Sequence, residues 1–245
     1  MTTDHDTLVA DKSLKSGLAD KLYKGSLADK ARKSSSAVIA GKTQKKSNFA
    51  GKAARIARVI TVPPILVSVL FTLLFFFSDT VFTTLTELVM ALVFLVIIPL
   101  AAYPLSYVVP ALRKKGRKTQ RDLAFALSFV GYAAAVIYGF LGQVESSLLL
   151  IFLTYFLSVL ILLFFNLVLR KRASGHACGT MGPLAFLVYF IGPHGIPVCV
   201  LTAVLVVWSS LYLKRHTVSE LIYGAASAVL AFLIALAIMY LLAVV

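Results

Sequence analysis

From Val59 onward the chain is a succession of apolar runs, each about long enough to carry a helix across a hydrocarbon core, which takes roughly 20 residues. Nothing else constrains the fold as much. Inside a bilayer every backbone N–H and C=O must be satisfied within the protein, so only helices and closed barrels can span it. Barrel strands would alternate apolar and polar residues, and these runs are unbroken. The chain therefore reads as all-α, a polytopic membrane helix bundle. A hydrophobic content of 60% and a mean hydropathy of +0.91 agree with that.

The pattern predicts about seven spans: Val59–Phe77, Leu85–Leu112, Leu123–Leu141, Ser147–Leu169, Ala177–Ile191, Ile196–Leu213 and Ser219–Val244. Six of them would form the motif-bearing core described below. The second contains Pro99, Pro104 and Pro110, which predicts a kink or an early end, and the apolar stretch 81–112 has room for a re-entrant turn. The fifth is short and carries Gly179, Gly182 and Pro183, which suits close packing inside the bundle.

Charge sets the expected orientation. The chain carries 24 Lys and Arg against 10 Asp and Glu, a formal net charge of +14. With seven spans, the N-terminal segment and the loops 113–122, 170–176 and 214–219 fall on one side. Those loops hold Arg113, Lys114, Lys115, Arg117, Lys118, Arg121, Arg170, Lys171, Arg172, Lys214 and Arg215. The opposite loops, Ser78–Thr84, Gly142–Ser146 and Gly192–Gly195, contain no Lys or Arg. The positive-inside rule assigns the cationic side, and the N-terminus with it, to the cytoplasm.

Residues 1–58 read as a basic arm and 59–245 as the membrane domain. The arm is rich in Lys, Ala, Ser and Gly, nearly lacks aromatics, and repeats Leu18-Ala19-Asp20-Lys21 as Leu27-Ala28-Asp29-Lys30. Such a composition predicts a largely disordered, solvated segment. It also suits attraction to anionic lipid headgroups, at about 1 kcal/mol per cation near the surface. Ala50 to Ile60, with Lys52, Arg55 and Arg58 among small apolar residues, suggests a helical collar leading into the first span. No aromatics interleave with the charges, so nucleic acid is not the expected partner. Cys178 and Cys199 fall near opposite ends of adjacent spans and lack zinc-site spacing, so neither a disulfide nor a metal is expected.

Ionisable groups at the mouths of membrane helices are expensive and point to function. His216 and Glu220 stand at i and i+4 on what should be the first turn of the last span, so they share a face. A carboxylate there can hold one ring nitrogen and leave the other free to attack. His176, in Ser174-Gly175-His176, comes from another loop on the same side and could protonate a leaving oxygen. Arg121, with Lys114, Arg117 and Lys118, could neutralise phosphoryl oxygens. Each string alone has a plainer explanation: a histidine at a helix end is usually interfacial, as His194 is read here, and a cationic loop is usually a topology signal. Their joint placement on one side favours a site.

The three strings, taken in order, resemble the type 2 phosphatidic acid phosphatase superfamily of membrane lipid phosphatases, in a bacterial branch. The family pattern is Lys-x6-Arg-Pro, then Pro-Ser-Gly-His, then Ser-Arg-x5-His-x3-Asp. Here Lys114-x6-Arg121 is followed by Asp122, and Ala173-Ser174-Gly175-His176 lacks only the initial Pro. Ser209-Ser210-x5-His216-x3-Glu220 keeps the Ser, the His and the spacing, with Ser for Arg and Glu for Asp. The resemblance covers roughly residues 90 to 230.

It implies an integral membrane phosphatase, in bacteria a plasma-membrane protein. His216 would be the nucleophile, passing through a phosphohistidine, with His176 the general acid and Glu220 the orienting carboxylate. Lys114, Arg121, Ser174 and the Gly175 backbone would hold the phosphate, and Arg117 would add charge nearby. No metal or other cofactor would be needed. Arg215 or Lys214 would have to replace the cation missing at Ser210, and Ser210→Arg is expected to raise turnover. A cytoplasmic site favours an inner-leaflet lipid phosphate such as phosphatidic acid, phosphatidylglycerophosphate or a polyprenyl phosphate. The competing class is a non-catalytic protein on the same scaffold that binds a phospholipid or a protein partner. A transporter ranks lower, because no internal repeat with matched broken helices is visible.

Overall fold

The computed structural model describes residues 49–109 and 116–244, without the side chains of 116–118. The arm up to residue 48, Arg113, Lys114 and the side chains of Arg117 and Lys118 therefore lie outside the described residues. Every regular element among the described residues is helical: α1 (Phe49–Ile60), α2 (Pro63–Phe77), α3 (Leu85–Val108), α4 (Gly116–Leu141), α5 (Ser146–Val168), α6 (Gly175–Ile191), α7 (Ile196–Tyr212) and α8 (Val218–Val244). This is a polytopic helical bundle of an integral membrane protein.

Five helical stretches are long and apolar enough to cross a membrane, or six if α1 and α2, bent by 52°, make one span. Pro63 and Pro64 start α2 where their missing N–H groups would be unpaired in any case, and this sets the bend. The difference from the expected seven lies in Gly175–Tyr212, which counts as one 38-residue stretch. It is folded in two. The Cys199 thiol donates to the Leu184 carbonyl at 3.4 Å, 15 residues back, whereas a straight helix would separate them by about 22 Å. Gly192, at φ 76, supplies the left-handed residue that ends α6, and a single 3-10 turn, Gly192–Gly195, reverses the chain into α7. The two arms have 17 residues each, the short end of what a hydrocarbon core requires.

Among the described residues the proline-rich second span, Leu85–Val108, is a single traverse with no re-entrant turn. A π-helical turn, Val93–Ile97, precedes Pro99, and the helix ends at Val108, just before Pro110. An extra residue in the turn relieves the clash between a proline ring and the preceding carbonyls.

The centre is α5. It is apolar all round, and 61% of its membrane window is buried, against 11–28% for the other four stretches, as expected of a helix enclosed by others. It packs against α4, α6 and α8. Lipid tails are as apolar as leucine, so close approach rather than water exclusion holds such helices together. On α8 the seam is small: Gly224, Ser227, Ala228, Ala231 and Ala235 are buried. That seam lets the last helix lie tightly against its neighbours.

Residues Ala53–Val245 form one compact unit. Ala54, Ala57 and Thr61 are buried at helical spacing, so this part of α1 has an inward face.

Candidate active site

Two tight turns bring the second and third motifs together. After α5, Arg170 adopts φ 51, and after α7 Lys214 does the same. Left-handed residues commonly end helices, usually as glycine; a side chain there costs on the order of 1–2 kcal/mol. A cation at a helix C-terminus recovers part of that through the macrodipole. Asn166 then braces the first turn: its amide donates to the Leu162 carbonyl at 2.7 Å, and its side-chain oxygen accepts from the Ala173 N–H at 3.2 Å.

The Ser174 N–H donates to the Glu220 carbonyl at 2.9 Å, which ties the second motif directly to the first turn of α8. Ser174 is fully buried and its hydroxyl caps α6, accepting from the Ala177 N–H at 3.2 Å. Gly224, one turn beyond Glu220, makes this junction possible. A Cβ there would run into the Ser174 carbonyl oxygen.

Local capping rules single out Glu220. Thr-x-x-Glu opens both α3 and α8, and in α3 it forms a complete capping box, Thr84 and Glu87 each bonding the other's backbone. In α8 only half of it forms: Thr217 Oγ1 accepts from the Glu220 N–H at 3.3 Å. The carboxylate turns elsewhere. His216 Nδ1 donates to Glu220 Oε2 at 2.8 Å, and Arg172 Nη1 lies 3.5 Å from Glu220 Oε1. With Nδ1 facing a carboxylate, the lone pair belongs to Nε2.

Beside this pair stands His176, on the first turn of α6. Its Nε2 is buried with no hydrogen-bond partner, and it interacts electrostatically with His216 and Arg58. A cavity of about 340 Å³ opens in front of His216 and Glu220, walled by Arg172, Lys214, Arg215, Thr217 and Leu211. The group is one imidazole held by a carboxylate, a second imidazole without a partner, and a cationic rim. The cavity with its cationic rim suits an anionic ligand at His216, whereas His176 is not among the residues that line it. No three His, Cys, Asp or Glu side chains among the described residues are grouped to hold a metal ion.

The expected residues divide clearly. His216, Glu220, His176, Ser174 and Gly175 come together, and Arg215 lines the cavity. Arg121 does not join them: it is exposed and bonds to no described residue. It lies one turn before Phe125, whose ring faces Gly175. Ser210 is fully buried, and neither Arg215 nor Lys214 reaches its hydroxyl; Arg215 bonds only its carbonyl, through the backbone N–H, at 3.0 Å. Sequence reasoning missed Arg172, Asn166 and Arg58 as site residues. The signal for Arg58 was present, because it shares a helical face with Ala54, Ala57 and Thr61.

Electrostatics favour a neutral His216. Burial pushes its pKa below the ordinary value of 6.5, and Arg58 and Arg172 act in the same direction, while the bond and charge of Glu220 oppose them. If this imidazole attacks a substrate it must be unprotonated, and any such turnover should then fall on the acid side only below pH 6.5. Glu220→Gln removes the group that raises the pKa and should move that limb to still lower pH. A pH–rate profile of both proteins checks this; an acid limb above pH 7, or an upward shift in the variant, would contradict it.

Comparison of the chain with protein-family models, with curated proteins and with solved structures finds no match.

Proposed function

We propose that this protein is a membrane-embedded phosphatase of lipid phosphate monoesters. One observation carries the reading: the 2.8 Å bond from His216 to Glu220 on the first turn of α8, with a second imidazole as its electrostatic neighbour. Phosphoryl transfer needs little covalent chemistry from the protein beyond positioning and charge neutralisation, so a nucleophile, an acid and cations form a sufficient set.

In the proposed reaction His216 Nε2 attacks phosphorus and the P–O bond to the lipid breaks. His176, which enters as the imidazolium when the anionic phosphate is bound, gives a proton to the departing oxygen and becomes neutral, yielding the lipid alcohol and a phosphohistidine. Water, losing a proton to His176, then attacks phosphorus; the P–N bond breaks and phosphate leaves. Glu220 holds Nδ1–H throughout and stabilises the imidazolium. Arg172 and Arg215 at the cavity rim offset the charge of the phosphoryl oxygens. The substrate would be phosphatidic acid, phosphatidylglycerophosphate or a polyprenyl phosphate in the inner leaflet of a bacterial plasma membrane, with the basic arm drawn to anionic lipids.

The test is phosphate release by the purified protein from a panel of these lipids without added metal. Release that is lost in His216→Ala supports the reading. Protein that binds the lipids and never releases phosphate would instead be a non-catalytic binder. The cytoplasmic placement has its own test: an odd number of spans puts Val245 on the far side, so a C-terminal reporter active only in the cytoplasm should stay silent. A bright signal would reverse the placement of one end.

A further inference from the structure

The third motif lacks its cation, and the fold brings one to the gap from outside the motifs. Arg58 Nη1 donates to Ser210 Oγ at 3.3 Å, across 152 residues of sequence. Ser210 is fully buried, at the position where the motif pattern places arginine. Arg58 is also an electrostatic neighbour of both imidazoles, His176 and His216. We propose that Arg58, on α1, is the phosphate-binding cation of this site, standing in for the side chain absent at Ser210.

Three features of α1 support a built position. An arginine near a membrane interface would ordinarily snorkel outward, keeping its head in water. Here Lys52 and Arg55 are exposed beside Ile56, Val59 and Ile60, whereas Arg58 is half-buried on the face that carries Ala54, Ala57 and Thr61. The connection to α6 is close as well. Thr180 Oγ1 donates to the carbonyls of His176, at 2.8 Å, and Thr61, at 3.5 Å. A Cβ on Gly179 would meet the Pro63 ring at 2.8 Å, so glycine is what allows α2 to seat against α6. The guanidinium is therefore carried by a segment locked to the helix that bears His176. Its bond to Ser210 is to a neutral hydroxyl, which leaves its charge uncompensated. Among the described residues no carboxylate pairs with it.

As a statement about catalysis this rests on the phosphatase reading; as a statement about phosphate binding it does not. The test uses the full chain in lipid nanodiscs, with two measurements: phosphate release from dioleoyl phosphatidic acid, and affinity for inorganic phosphate by thermal shift. Arg58→Gln keeps a polar, hydrogen-bonding side chain but carries no charge. It should lower kcat/KM by about 10²–10³-fold, the usual cost of losing one charge-stabilising donor, and weaken phosphate binding. Ser210→Arg should restore much of both in the Arg58→Gln background. In the wild-type background it should lower both, the reverse of the rise expected from the sequence, because Arg58 already stands at Ser210 and a second guanidinium would crowd and repel it.

Wild-type turnover that survives Arg58→Gln within about threefold would overturn the inference and leave the phosphatase reading intact. An inert wild type whose phosphate affinity is lost in Arg58→Gln and regained with Ser210→Arg would do the reverse. No turnover, with binding indifferent to Arg58, would overturn both. If Arg58→Gln does not fold, Arg58→Lys keeps the charge and loses the two-pronged fork, so an intermediate loss is expected and none at all counts against the proposal.

Discussion

On the proposed mechanism, replacing His216 with alanine is expected to abolish phosphate release while leaving the bundle folded. The imidazole is partly exposed at the cavity and bonds only Glu220, so its removal leaves no buried cavity in the core. Loss of a covalent nucleophile costs on the order of 10⁴-fold or more in kcat, because the remaining cations can bind the phosphate but cannot attack it. Glu220→Gln should be a smaller lesion. It keeps a group able to bond a ring nitrogen but removes the charge that stabilises the imidazolium, and the Arg172 ion pair goes with it. Both proteins should retain affinity for inorganic phosphate. Turnover in His216→Ala close to wild type would exclude this histidine as nucleophile.

Gly224→Ala is the second change with a large expected effect, and it acts without touching a reacting group. Its Cβ would run into the Ser174 carbonyl oxygen and lie 3.1 Å from the Ala177 Cβ, between two backbones that cannot yield as a flexible side chain would. Overpacking of this kind typically costs about 1–3 kcal/mol, and more where only backbone can move. Relief requires α8 to withdraw from α6, and that movement breaks the bond from the Ser174 N–H to the Glu220 carbonyl. A displacement near 1 Å between catalytic groups can cost about 10²-fold in rate, so thermal stability and turnover should fall together. Gly182→Ala serves as the contrast, since its nearest neighbour, the Tyr155 ring, lies at an ordinary 3.5 Å. Equal tolerance at both positions would show that the close seating of α8 does not hold the site together.

Much of the site was legible because its signals are local. His216 and Glu220 are four residues apart and are bonded, but His216 stands two residues before α8 rather than on its first turn, so the bond spans the helix start instead of following from helical periodicity. Ser174 and His176 fall at a helix start for a local reason, since serine before a helix caps it. Arg121 shows the limit of such reasoning. Its position in the motif is right, yet its side chain faces solvent. The span count turns on a related point: hydropathy measures apolar length, and two 17-residue helices joined by one turn read as one segment or two until the reversal at Gly192 is seen.

The helical, membrane-embedded class follows from the sequence by itself, because long apolar runs leave the backbone no other way to satisfy its hydrogen bonds in lipid. The closeness of His216 to Glu220 follows too, from their short separation in the chain, although His216 lies just before α8. Only the tertiary structure decided which cation meets Ser210. Sequence proximity favoured Arg215 and Lys214, but the left-handed turn at Lys214 leaves both at the cavity rim. Arg58 arrives instead from 152 residues away, carried by a helix whose small residues let it dock. Which side chain turns inward depends on how closely two helices can approach. That is set by what each Gly, Ala or Pro meets on its neighbour, and no single segment of sequence contains both surfaces.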